Sequence, residues 1–246
     1  MKQGRALEGK VAVVTGAGRG IGRAIAKAFA AEGASILCAA RTRGELDEVC
    51  NAITSDGGRA IPVETDVTNH AQVSASFDLA TTVFGGVDIV VANAGISADP
   101  RGIEHSDPMA WKQTIEVNLL GGYHTIHAAV PHLRRRGAGN IIVIGSGMGH
   151  RSVAGSSAYC CSKAGLWMLT RALAQELRVH NILVNELIPG PVETRLGGVG
   201  ASPTNPGENI EWVKQPKDVV PLALFLATLP SSGPTGQTFS LTRREL

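Results

Sequence analysis

"VAVVTGAGRGIGRAIAKAFAAEG", residues 11–33, carries the succession of patterns that decides the fold. Val11 to Thr15 form a continuous apolar run, the signature of a strand buried on both faces of a parallel sheet. Glycines then interrupt the chain. Beyond them "IGRAIAKAFAAEG" repeats apolar residues at helical spacing and stops at Gly33. A strand, a glycine turn and a helix in direct succession predict the opening of a β-α-β unit.

The same alternation continues along the chain. "SILCAA", "AIPVETDV", "VDIVVANAG", "NIIVIGS", "ILVNELIPG" and "QTFSL" read as strands. Between them "ELDEVCNAITSDG", residues 70–84, "MAWKQTIEVNLLGGYHTIHAAVPHLRRRG", "SSAYCCSKAGLWMLTRALAQELRVH" and "DVVPLALFLATL" read as wholly or partly helical. Nothing between residues 10 and 240 reads as a linker, and the 30 glycines with only 18% charged residues suit many tight turns around buried strands. The fold predicted is α/β, a single-domain Rossmann-type doubly wound parallel sheet with helices on both faces over residues 1–246. The irregular, Gly- and Pro-rich segment 191–216 is either a substrate lid or a surface excursion.

Composition narrows the function classes. A net charge of +2 with one cationic run, Arg134 to Arg136, favours a solvated helix end over a nucleic-acid or lipid surface. Neither nucleic acid nor membrane is expected as a partner. The start "MKQGRALEGK" lacks a secretory apolar stretch, no run is long enough to span a bilayer, and four cysteines make no disulfide framework, so a cytoplasmic protein is expected. Cys160 and Cys161 point in different directions on a helix, and packing is their expected role. His124 and His127 lack a persuasive third ligand, so no metal is expected.

"TGAGRGIG" follows the first strand and opens the first helix, the context in which glycine spacing carries meaning. Gly16 can turn tightly, Gly20 can leave room for a pyrophosphate, and Gly22 can let helix and strand pack closely, with free N–H groups at the helix start. An ordinary glycine-rich turn fits these letters too. The spacing T-G-x-x-x-G-x-G, however, resembles the classical short-chain dehydrogenase/reductase family, and the resemblance extends from Lys10 to about Gln237.

That resemblance implies a dinucleotide held by Gly16, Gly18, Arg19, Gly20, Ile21 and Gly22, with Asp66 and Val67 of "ETDV" at the adenine. Asn93, Ala94 and Gly95 of "ANAG" match the family's N-A-G signature, although Ala92 stands where Asn is more usual. From "IPGPVET", Pro189, Gly190, Val192 and Thr194 would line the nicotinamide end beside Ile188. At the end of the second strand Ala40 replaces the acidic residue that commonly holds a ribose diol, and Arg41 follows it. Arg19 and Arg41 could pair with a 2′-phosphate, so NADP(H) is the expected cofactor.

Tyr159 and Lys163 lie four residues apart, on one helix face, and an ammonium there would lower the phenol's pKa toward the range of useful proton transfer. Alone, that pair also describes an aromatic ring covered by a lysine stem. Ser146, 13 residues before Tyr159, ends the preceding strand on the crevice side and can hydrogen-bond the same substrate oxygen. The resemblance completes a tetrad with Asn118, whose backbone would hold a water serving Lys163, itself also a ligand of the nicotinamide ribose. Asn118 alone fits a helix irregularity equally well.

The expected activity is NADPH-dependent reduction of a ketone, or the reverse, with Tyr159 as general acid or base. Among family members the chain resembles 3-oxoacyl-acyl-carrier-protein reductases, so a 3-oxoacyl thioester or another small carbonyl compound is the expected substrate. The tail "GQTFSLTRREL" departs from the glycine-rich ending of many such relatives. The rival reading is an inactive dinucleotide-binding scaffold. By resemblance the protein is a homodimer or homotetramer, with helices near 107–130 and 157–180 meeting across a two-fold axis.

Overall fold

A computed structural model describes residues 4–197 and 212–243. In its first half, β1 (Val11–Thr15), α1 (Gly20–Ala31), β2 (Ser35–Ala40), α2 (Arg43–Ser55), β3 (Arg59–Glu64), α3 (His70–Phe84) and β4 (Ile89–Ala92) alternate. The second half adds α4 (Pro108–Ile115), α5 (Gly121–Arg136), β5 (Gly139–Ile144), α6 (Ser157–Leu177), β6 (Ile182–Ile188), α7 (Val220–Ala227) and β7 (Thr238–Ser240). All seven strands form one parallel sheet in the order β3-β2-β1-β4-β5-β6-β7. The chain winds one way from β1 to β3 and the other way from β4 onward. The crevice therefore opens at the carboxyl ends of β1 and β4, where the two crossovers leave in opposite directions.

The uninterrupted apolar strands follow from burial on both faces. Every residue of β1, β4 and β6 is buried. One core lies under α1, α2 and α7 and holds Ile25, Phe29, Leu46 and Leu226. The other lies under α3, α5 and α6 and holds Phe77, Ile126, Leu133 and Leu166. Edge strand β3 is only half-buried, which accounts for its mixed residues.

The segment that reads as one partly helical stretch consists of α4, a π turn over Glu116–Leu120 and α5 in unbroken sequence. The arginine run closes α5 before Gly137, whose φ of 80° ends the helix. Arg136 is structural: its guanidinium bonds both carboxylate oxygens of Asp88, which also accepts from the Val11 backbone N–H. One expectation fails. Cys161 is exposed and Cys160 only half-buried, so packing does not explain Cys161; the helix turns it toward solvent. No described helix is long and apolar enough to cross a membrane.

Phe29 is fully buried at the centre of the first core. Phe29→Ala is expected to cost about 3–5 kcal/mol through lost burial and the cavity left behind. Urea unfolding followed by circular dichroism measures it.

Candidate active site

The glycine turn is built by exclusion. Gly16 and Gly20 take φ of 65° and 56°, a region that disfavours side chains. A Cβ on Gly22 would lie 2.4 Å from the Gly16 carbonyl oxygen and 2.5 Å from Asn93 Nδ2. Gly22 thus presses α1 onto β1 and does not reach the cavity wall. Asn93 holds the turn from the neighbouring strand: its Nδ2 donates to the carbonyls of Thr15 (2.8 Å) and Gly16 (3.2 Å). The Thr15 hydroxyl accepts from the backbone N–H groups of Asn93 and Ala94. The first residue before α1, Arg19, makes no side-chain cap, which leaves the helix start available to an anion.

Around this turn lies a cavity of about 670 Å³, within the range of small-molecule sites. Its wall includes Gly16, Gly18, Arg19, Gly20 and Ile21 from the turn, Ala40 and Arg41 from the end of β2, and Asp66 and Val67 beyond β3. Asn93, Ala94 and Gly95 line it beyond β4, and Thr194 beyond β6. Asp66 has a fixed geometry, its carboxylate accepting from the Thr68 N–H and hydroxyl at 2.9 and 2.8 Å. Pro189, Gly190 and Val192 do not line this cavity, and Ile188 is wholly buried in the sheet.

The cavity contains a carboxylate that sequence reasoning missed. Glu45, in the first turn of α2, sends Oε1 to Arg19 Nη1 at 3.3 Å and to Arg195 Nη1 at 3.1 Å. Gly18 leaves the space this side chain fills, since a Cβ there would be 3.0 Å from Glu45. Arg41 has no carboxylate within ion-pair distance among the described residues. The first helical turn was readable as acidic, but nothing in the sequence placed it across from residue 195.

One strand away, Ser146 follows β5 and caps the short turn 147–149, accepting from the Met148 N–H at 3.2 Å. Tyr159 and Lys163 project from the first two turns of α6. Lys163 is 3% exposed, and its Nζ donates to the Ile144 carbonyl at 2.8 Å while lying 5.8 Å from the Tyr159 ring centre. The ammonium therefore lies over the ring while it bonds the end of the strand. Burial pushes the phenol above its ordinary value; the Ser146 hydroxyl opposes this, and Cys160 adds slightly to it. Burial lowers Lys163 to about 8, against the opposing pull of Glu186.

Asn118 sits in the π turn and is 1% exposed. Its Oδ1 accepts from the Ile96 N–H at 2.8 Å, and its Nδ2 donates to the Ile96 carbonyl (2.9 Å) and Ser162 Oγ (3.0 Å). The side chain joins the loop after β4, which lines the cavity, to the helix that carries Tyr159 and Lys163. None of Asn118, Ser146, Tyr159 and Lys163 lies on the wall of the 670 Å³ cavity itself.

The two ends of the 191–216 segment are pinned together. Glu193 N–H donates to the Lys214 carbonyl at 2.9 Å, and Lys214 N–H to the Pro191 carbonyl at 3.0 Å. Its middle, residues 198–211, lies outside the described residues. His124 and His127 meet a third ring the sequence did not suggest: His127 Nδ1 is 3.0 Å from His70 Nε2, while His124 Nδ1 meets the Val67 carbonyl at 2.9 Å.

Residues 10–201 match the family described as short chain dehydrogenase. The chain is 38% identical to the cis-4-hydroxycyclohexanecarboxylate dehydrogenase of Sinomonas cyclohexanicum, over 78% of this chain and 77% of that protein. The crystal structure of a 3-ketoacyl-ACP reductase from Sinorhizobium meliloti superposes with a TM-score of 0.85 at 36% identity, covering 94% of this chain and 96% of the other. Carveol dehydrogenase from Mycobacterium avium, solved in complex with NAD, gives a TM-score of 0.89 at 29% identity, covering 97% and 98%.

Glu45 opposes any anion that approaches Arg19 and Arg195. Glu45→Gln is expected to tighten dinucleotide binding by about 2- to 5-fold at low salt, the scale of a partly exposed ion pair. Fluorescence titration tests this. Weaker binding would mean that the carboxylate serves chiefly to hold the two arginines in place.

Proposed function

The chain belongs to the short-chain dehydrogenase family of NAD(P)H-dependent oxidoreductases, and from that premise we propose that it reduces a ketone to a secondary alcohol, or runs the reverse, with NADP(H). The observation that carries the reading is the convergence of Ser146, Tyr159 and Lys163 beyond β5, one strand from the glycine-lined cavity.

The cavity fits a dinucleotide. Gly16, Gly18 and Gly20 line it beside an uncapped helix start, where a pyrophosphate would find N–H donors. Asp66 and Val67 would hold the adenine, and Asn93 would steady the turn beneath it. Bound in this way, the nicotinamide supplies the hydride. Ala40 and Arg41 favour a 2′-phosphate over a bare ribose diol, whereas Glu45 offsets part of the charge of Arg19 and Arg195. The likeness to an NAD-bound carveol dehydrogenase makes this preference a point for direct measurement.

In the proposed reaction Ser146 donates a hydrogen bond to the carbonyl oxygen and holds it beside Tyr159. Tyr159 gives that oxygen its phenolic proton during reduction, or takes one from an alcohol in reverse. Lys163, as an ammonium over the ring, favours the phenolate left behind. The tie of Asn118 to Ile96 and Ser162 keeps helix and cavity in register.

A 3-oxoacyl thioester or related carbonyl compound is the proposed substrate. The likeness to a 3-ketoacyl-ACP reductase supports it, and the two alcohol dehydrogenases widen the class to cyclic alcohols and ketones. A homodimer or homotetramer and a cytoplasmic setting complete the proposal.

Tyr159→Phe is expected to lose at least about 100-fold in reduction rate while binding NADPH as before, the scale of a removed general acid. A carbonyl panel followed by NADPH absorbance, paired with cofactor titration, measures both; retained turnover would contradict the assignment. Arg41→Ala is expected to weaken NADPH and leave NADH unchanged, and tighter NADH binding by the parent protein would overturn the cofactor preference. The reduction rate should also fall as pH rises through about 8, where Lys163 gives up its proton before the raised Tyr159 does.

A further inference from the structure

β6 carries a glutamate in the middle of the apolar sheet. Glu186 is 1% exposed, and its Oε1 is the one buried side-chain polar atom without a hydrogen-bond partner among the described residues. Its other oxygen is fully engaged. Oε2 lies 2.9 Å from His150 Nε2 and accepts from the Thr238 hydroxyl of β7 at 2.7 Å. A buried carboxylate costs several kcal/mol to desolvate unless its surroundings compensate, so an unsatisfied oxygen here calls for a reason.

Its surroundings supply one. The free Oε1 is turned toward Gly145, where a Cβ would lie only 1.9 Å from it. Gly145 follows Ile144, the residue whose carbonyl accepts from Lys163 Nζ, and precedes Ser146. The turn from Ser146 to His150 is gripped from two sides. Gly149 lies against the Lys163 backbone, with no room for a Cβ (2.7 Å), and His150 is tied to Glu186 and packs at a tilt on Trp167 with ring centres 4.7 Å apart. One carboxylate thus bonds the turn that follows Ser146 and lies against the strand end that holds Lys163.

We propose that Glu186 is a positioning residue: its bond to His150 fixes the turn that presents Ser146, and its carboxylate, seated against Gly145 at the strand end that anchors Lys163, sets the electrostatic surroundings of that lysine. This rests on the catalytic reading given above. The groups against the carboxylate are His150 from the turn, Thr238 from β7 and the Gly145 backbone after β5; Lys163 of α6 bonds the adjacent Ile144 carbonyl and lies over the Tyr159 ring of the same helix. Burial drives Lys163 down to about 8, and the attraction of Glu186 acts in the opposite direction. Removing the negative charge lowers Lys163 further. The reducing form, phenol plus ammonium, is then lost at a lower pH.

The test is Glu186→Gln, with Glu186→Met as a second variant that fills the same space without charge. Lysine side-chain NMR titration of the folded proteins, with the Lys163 signal assigned by its absence from Lys163→Met, reads the effect without turnover. The expected result is a Lys163 midpoint about one pH unit lower in either variant, the small end of the shift from an opposite charge nearby. The alkaline limb of the reduction profile should move down by the same amount. His150→Asn, which keeps the charge and loosens the turn, is expected to lower kcat about 10-fold without lowering that midpoint. An unmoved Lys163 midpoint in whichever neutral variant folds overturns the proposal, even if the protein reduces ketones. A lowered midpoint in a protein that reduces no carbonyl compound would uphold the electrostatic link and count against the catalytic reading instead.

Discussion

The bond from Lys163 to the Ile144 carbonyl is the constraint on which the site depends. It ties the first turns of α6 to the last residue of β5 at 2.8 Å, deep enough that water cannot substitute for it. Ser146 stands two residues past that carbonyl and Tyr159 one helical turn before the lysine, so a single contact sets the distance between them. The sheet makes the contact possible. β5 is inner to β6 and β4, and its carboxyl end is held by ladders on both sides.

A second constraint fixes the cofactor side. Gly16 and Gly22 leave room for the Asn93 amide to reach two carbonyls of the turn, and a side chain at either glycine would collide with it. Asn118 connects this half to the other through Ile96 and Ser162. The π turn that contains Asn118 is a local break in regular helix bonding, of a kind that often accompanies functional sites. Together these contacts let a rigid sheet hold a cleft open while keeping its two chemical ends in fixed relation.

Much of this was legible in the chain itself. Continuous apolar strands, the glycine turn and the spacing of Ser146, Tyr159 and Lys163 are local patterns, and local patterns survive in a sequence. What escaped were contacts between residues far apart. Glu45 meets Arg195 across 150 positions, and Glu186 meets His150 across 36, with nothing in either stretch to announce the other. Spacing put Lys163 on the face of Tyr159 but gave no sign of its bond to the Ile144 carbonyl, because helix spacing fixes which side chains share a face and not which further neighbour a flexible ammonium meets. Cys161 likewise looked like packing because helical phase alone does not tell which side of α6 the sheet covers.

The central claim is that a reduced nicotinamide and the phenol of Tyr159 meet one carbonyl group. A crystal structure of the protein with NADP+ and an unreactive ketone analogue tests it most directly. The account predicts the ketone oxygen within hydrogen-bond reach of both the Tyr159 and Ser146 hydroxyls, with the nicotinamide ring facing its carbon. Nicotinamide seated away from α6, or an analogue bound without either hydroxyl, would contradict it.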